Sequence, residues 1–86
     1  MPTVFLVPSG TDTADAASPG DYLLRPHGAD LYEAGEVDGG CTWFGTLSAS
    51  LLPELPEVDA PQEAPDQTAV LAAVQGLQSA ETHRGG

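Results

Sequence analysis

The chain has no Lys, no Asn and no Ile. Two Arg stand against thirteen Asp and Glu, so 86 residues carry a formal charge of -11. So few cations exclude direct binding to nucleic-acid phosphates or to an anionic membrane surface, both of which are met by Lys and Arg. The excess of carboxylate keeps the chain soluble and makes its compact state repel itself. It favours a basic partner surface, bound cations or a salt-rich setting. Part of the imbalance is compositional. Lys, Asn and Ile have A/T-rich codons, so a GC-rich genome would thin all three together.

Other scarcities narrow the class further. One cysteine, Cys41, cannot form an internal disulfide, which excludes a disulfide-stapled secreted scaffold. The expected location is a reducing interior or a virion. The run Thr3 to Val7 is short and lacks a basic flank, so it is no recognisable secretion signal. No apolar stretch nears the ~18 residues of a membrane span. Leu, Val and Phe supply 18 of 86 residues; at about 20% with high net charge, order itself becomes costly. Much of the remaining apolar content is Ala, which buries little area. With eight Pro as well, the monomer is expected to be marginal. A protein partner, a larger assembly or a homo-oligomer would cover it.

What is present reads as a short β-rich body. Met1 to Val7 predicts a strand, with the β-prone run Val4-Phe5-Leu6-Val7 closed by Pro8. Ser9 to Gly20 is a polar, acidic loop ending in the turn signal Pro19-Gly20. Asp21 to Arg25 and Leu31 to Ala34 predict a hairpin across Pro26–Asp30, with Tyr22 and Leu24 on one face opposite Leu31 and Tyr32. Glu36 to Gly40 reads as another turn. Thr42 to Leu47 is a fourth strand, with Leu52 as its furthest end. Residues 1–52 thus predict a small antiparallel β-domain.

Residues 53–66 hold four prolines and five acids. Proline fixes φ and removes donors, so this segment predicts an acidic, semi-rigid arm or linker. Residues 67–86 predict a C-terminal amphipathic helix from Gln67 to Thr82, capped by Asp66. Val70, Ala73, Val74, Leu77 and Ala80 fall at helical spacing. His83 and Arg84 suit the negative end of the helix dipole, and Gly85 suits its stop.

The order of Leu31–Gly40 and the strand Thr42-Trp43-Phe44-Gly45-Thr46-Leu47 resembles the middle of an SH3-like barrel over about residues 21–58. There a strand, an acidic turn, paired aromatics, a Gly and a later Pro recur. The resemblance implies a small closed barrel. The Tyr motif of that family's ligand site has no counterpart in Val4–Val7. In a strand, Trp43 and Phe44 face opposite ways, so one is expected in the core and the other at an interface. The tail Arg84-Gly85-Gly86 resembles ubiquitin-like and sulfur-carrier proteins, which implies an activated C-terminal carboxylate. A helix stop at Gly85 is the competing reading.

No catalytic, cofactor or metal pattern emerges. Asp30, Glu33, Glu36 and Asp38 lack the alternation of an EF-hand, and Cys41, His27 and His83 lack zinc spacing. A Cys41–His27 nucleophile would need an orienting group and an oxyanion site, neither of which the sequence offers. The chain therefore reads as a non-enzyme that acts by binding protein, through Tyr22, Trp43, Phe44, Val70, Val74 and Leu77. In type it resembles capsid-associated proteins of tailed phages, which implies an accessory virion subunit. The alternatives are an acidic inhibitor mimicking DNA in a basic cleft, and a Gly-Gly carrier.

Overall fold

The computed structural model describes residues 2–85, with side chains to Ala80. The readings placed on Glu81, His83, Arg84 and the Gly-Gly tail concern side chains and a terminus outside the described residues. The fold is mainly β with one C-terminal helix. Five strands, β1 (Val4–Leu6), β2 (Tyr22–Pro26), β3 (Leu31–Val37), β4 (Cys41–Ser48) and β5 (Gln62–Glu63), precede α1 (Gln67–Gly85). A 3-10 turn at Ala49–Leu51 follows β4. The Cα radius of gyration is 11.7 Å, close to the ~12 Å of a compact chain of this length.

The strands form one sheet in the order β4-β3-β2-β1-β5. Two expectations are corrected here. The sheet is mixed rather than antiparallel, because β1 runs parallel to β2, with Val4 opposite Tyr22 and Leu6 opposite Leu24. It is also open, not closed into the barrel implied by the SH3-like pattern. The cause is the segment between β1 and β2. A hairpin needs two to five residues, whereas this connection exceeds the dozen that a parallel crossover requires. It folds over one face of the sheet and buries Ala14 there.

The β2–β3 hairpin forms, but in another register. Tyr22 pairs with Glu36 and Leu24 with Ala34. Strand β3 runs on through Gly35 to Val37, where a turn had been expected from Glu36. Gly35 is no breaker here: a Cβ on it would stand 2.6 Å from Cys41 Sγ and 2.8 Å from Trp43 Cε3. The residue is small because Trp43 lies over it. Opposite, β4 slips by one residue between the pairs Ala34–Gly45 and Gly35–Trp43. Phe44 is the extra residue of this bulge.

The two aromatics take opposite faces, and the bulge decides which: Trp43 falls opposite Gly35. On one face Val4, Leu6, Tyr22, Leu24 and Ala34 meet Val70 and Val74 of α1, with Phe44 against them. On the other, Phe5, Val7 and Leu23 meet the crossover, with Trp43 and Cys41 against them. Both faces are covered, one by a helix and one by a loop.

Residues 53–66 pass along the helix-covered face. Leu55 and Val58 pack on the core, and Ala64 is buried in it. Gln62 and Glu63 pair with β1 on its outer side. Pro61 and Pro65 bracket that two-residue strand, as expected for an edge. Asp66 caps α1: Ala69 N–H donates to its backbone O at 3.1 Å and reaches Oδ1 at 3.4 Å. Asp66 sits at φ 47°, a left-handed conformation that Asp tolerates better than most residues.

Candidate interaction surfaces

The sole described Arg side chain places four of its five N–H donors on protein acceptors. Arg25 Nε and Nη2 donate to Glu33 Oε1 at 2.9 and 2.7 Å, and Nη1 donates to Asp12 Oδ1 at 2.8 Å and to Thr11 O at 3.1 Å. Its guanidinium lies 3.9 Å from the Trp43 ring centroid, a cation–π contact. Burial opposes the charge, but the hydrogen bonds and charges of Glu33 and Asp12 more than offset it and raise the Arg25 pKa. This cluster ties the crossover to the sheet. It also balances the Arg25 charge with two carboxylates, which disfavours an outside anion.

Cys41 lies beneath the same cluster. Burial is the main cause that lifts its pKa from 9.0 to about 11, only partly countered by Arg25. At neutral pH the thiolate, which is the nucleophilic form, is nearly absent. Cys41 is thus the opposite of an activated cysteine. Among the described residues, no group of three or more His, Cys, Asp or Glu could hold a metal ion. Nor, among those residues, is any helix long and apolar enough to cross a membrane.

The six candidate binding residues fall in different places. Val70 and Val74 are 0% exposed and pack on the chain's own sheet. Leu77 packs half-buried at the edge of that cluster. Tyr22 is 7% exposed. Its ring meets Phe44 edge-on at 6.2 Å, and its hydroxyl donates to Gln78 Oε1 at 2.8 Å. Gln78 Nε2 in turn donates to Glu36 Oε1 at 2.9 Å. Trp43 and Phe44 are both half-buried, on opposite faces. The structure therefore does not gather the six into one patch; it joins Tyr22, Phe44, Val70, Val74 and Leu77 around one internal core.

The most open feature is an edge. Strand β4 has a neighbour on one side only, β3. Its direction of bonding follows from β3. Leu31 O accepts from His27 N–H, and Val37 bonds with Asp21 and Gly20, all at 2.9 Å on the β2 side. Residues 31, 33, 35 and 37 therefore address β2, and Tyr32, Ala34 and Glu36 address β4. The β4 partners of these three are Leu47, Gly45 and Thr42. The peptide groups of Thr46 and Ser48 consequently point away from the sheet. The sequence of β4, CTWFGTLS, contains no charge and no Pro. Those are two of the usual guards of a free edge; of the others, the bulge at Phe44 is present and α1 packs beside the strand.

A second feature is a cleft of about 710 Å³ beside the β2–β3 turn. It lies between that turn and the segment of residues 56–59, which precedes β5. Leu31, Tyr32 and Val58 line it, with Leu6 and Leu24 buried behind them, and Glu57 and Asp59 are its charged lining residues. Leu31 is 41% exposed, one of two large apolar side chains left so open among the described residues; the other is Leu51, just beyond β4.

No protein-family model matches the chain, and no curated protein or solved structure is significantly similar to it. The surfaces must therefore be read from their own chemistry. Sequence reasoning had passed over Arg25, Gln67 and the cleft. Arg25 carried one signal, being one of only two Arg in an acidic chain. Gln67 and the cleft carried none, since both depend on contacts between distant segments.

Proposed function

We propose that the chain is a non-enzymatic interaction protein, an accessory subunit that joins a larger protein assembly by strand addition at β4. The observation that carries this reading is the uncharged, Pro-free edge of eight residues. An incoming strand gains main-chain hydrogen bonds there, at Thr46 and Ser48 first, and covers the half-exposed Trp43 and Phe44 rings. The occupant is an extended segment of a different protein. Two copies, each at -11, would repel one another on approach. The proposed setting is a tailed-phage particle, resting on the resemblance in type to capsid-associated proteins.

Thr46→Pro tests this. It removes an N–H that points off the sheet, and proline is tolerated at such edge positions. Wild-type and variant chains are used to capture proteins from a host lysate at low and high salt, followed by mass spectrometry. Circular dichroism checks that the variant stays folded. The expected result is a partner held at both salt levels by the wild type and lost by the variant. Equal retention by the variant would sink the reading. So would a wild-type homodimer, seen by sedimentation, that the variant abolishes.

A further inference from the structure

The cleft beside the β2–β3 turn is separate from the β4 edge, and its chemistry differs. We propose that it takes a short segment of a partner protein in which an apolar side chain is flanked by Lys or Arg. Leu31, Tyr32 and Val58 give it accessible apolar lining, with Leu6 and Leu24 buried behind them, and both charged residues lining it, Glu57 and Asp59, are negative and exposed. No Lys or Arg lines it. An aliphatic or aromatic side chain entering there would cover Leu31 and Val58, each Å² of apolar surface removed from water contributing about 25 cal/mol. The flanking stems would lie along the walls with their cationic ends at Glu57 and Asp59, since long cationic side chains pack their methylenes and leave their heads in water.

Two other occupants fit less well. A small polar ligand is usually fixed by several convergent polar groups inside a pocket. Among the described residues, no buried polar side-chain atom lacks a hydrogen bond, so the cleft holds no unpaired buried side chain to fix such a ligand. A second copy of the chain has no Lys and itself carries a formal charge of -11, so Glu57 and Asp59 would repel it on approach. Charge complementarity therefore selects a foreign, cationic segment.

The test is a ¹H–¹⁵N NMR titration of the full chain with three end-capped tetrapeptides: Lys-Leu-Leu-Lys, Glu-Leu-Leu-Glu and Lys-Gly-Gly-Lys. Lys-Leu-Leu-Lys is expected to shift the amides of Leu31, Tyr32 and Val58, and the other two peptides to leave them in place. A double variant, Glu57→Gln with Asp59→Asn, should weaken that binding roughly tenfold, as should high salt. Both positions are exposed, and an unchanged spectrum elsewhere confirms that the variant is folded. The proposal is overturned if no peptide shifts these amides at millimolar concentration. It is equally overturned if all three do, or if the double variant binds as well as the wild type. Thr46→Pro should leave this titration unaltered, so failure here and failure of strand addition at β4 are told apart.

Discussion

At the scale of single residues, Gln67 does what no neighbouring strand does. Its side-chain amide acts as a short length of backbone beside β1. Oε1 accepts from Val4 N–H at 2.8 Å, while Nε2 donates to Val4 O and Ala64 O, both at 2.8 Å. Val4 itself is 0% exposed, so its N–H has little access to water as a substitute. Gln67→Leu keeps the bulk and removes the partner. Leaving a buried donor unpaired costs about 1–3 kcal/mol. In a domain of this size each kcal/mol lowers Tm by about 4–8 °C. Gln75→Leu, at an exposed position of the same helix, is the control and should stay within about 0.5 kcal/mol of wild type. Thermal melts of equal midpoint for the two variants would refute this role. Cys41 illustrates the converse case, a reactive residue type silenced by where it lies. Its thiol holds its proton more tightly folded than unfolded, so its contribution favours the fold below pH 9 and fades toward about pH 11.

At the scale of elements, β3 and β4 depend on a missing side chain. Gly35→Ala would place a Cβ against Cys41 Sγ, Trp43 Cε3 and Thr42 O at 2.6, 2.8 and 3.0 Å. Overpacking of this kind costs about 1–3 kcal/mol. The indole would have to lift, which loosens its contact with Arg25 and should shift the tryptophan emission to the red. Gly40→Ala meets nothing within 4 Å and serves as the neutral comparison; a Gly35 variant as stable as it, with unshifted emission, would contradict the packing. The elements themselves were largely legible. The β-branched and aromatic runs marked β1, β2 and β4, and the spacing of Val70, Val74 and Leu77 marked α1 and its buried side. What was not legible came from pairing. Nothing local in Val4–Leu6 says that its neighbours are Tyr22–Leu24 on one side and Gln62–Glu63 on the other. Nothing local in Gly35 distinguishes a turn from a seat for Trp43. The aromatic pair was read as one inward and one outward residue; the bulge instead half-buries both, on opposite faces. The cleft lay beyond reach for the same reason, since its walls are 25 or more positions apart in sequence.

At the scale of the whole molecule, charge works against the fold. Among the described side chains, twelve carboxylates stand against one guanidinium, and that one is already paired. Added NaCl screens repulsion between exposed charges beyond about 10 Å at 0.1 M. The melting temperature is therefore expected to climb by several degrees between low and high salt, and scanning calorimetry at fixed pH measures it. A midpoint that falls, or stays level, would mean that the acids are too far apart to strain the fold. The order of the sheet has a consequence in time as well. Strand β1 is made first, yet two of its contacts, β5 and the Gln67 amide, are made last, with Val4 and Gln67 63 positions apart. At synthesis rates of about 5–20 residues per second, the first strand waits roughly 3–13 s for the chain that covers it. The fold cannot close as β1 emerges; that strand stays unprotected, and open to chaperones and proteases, until the chain has been made through Gln67.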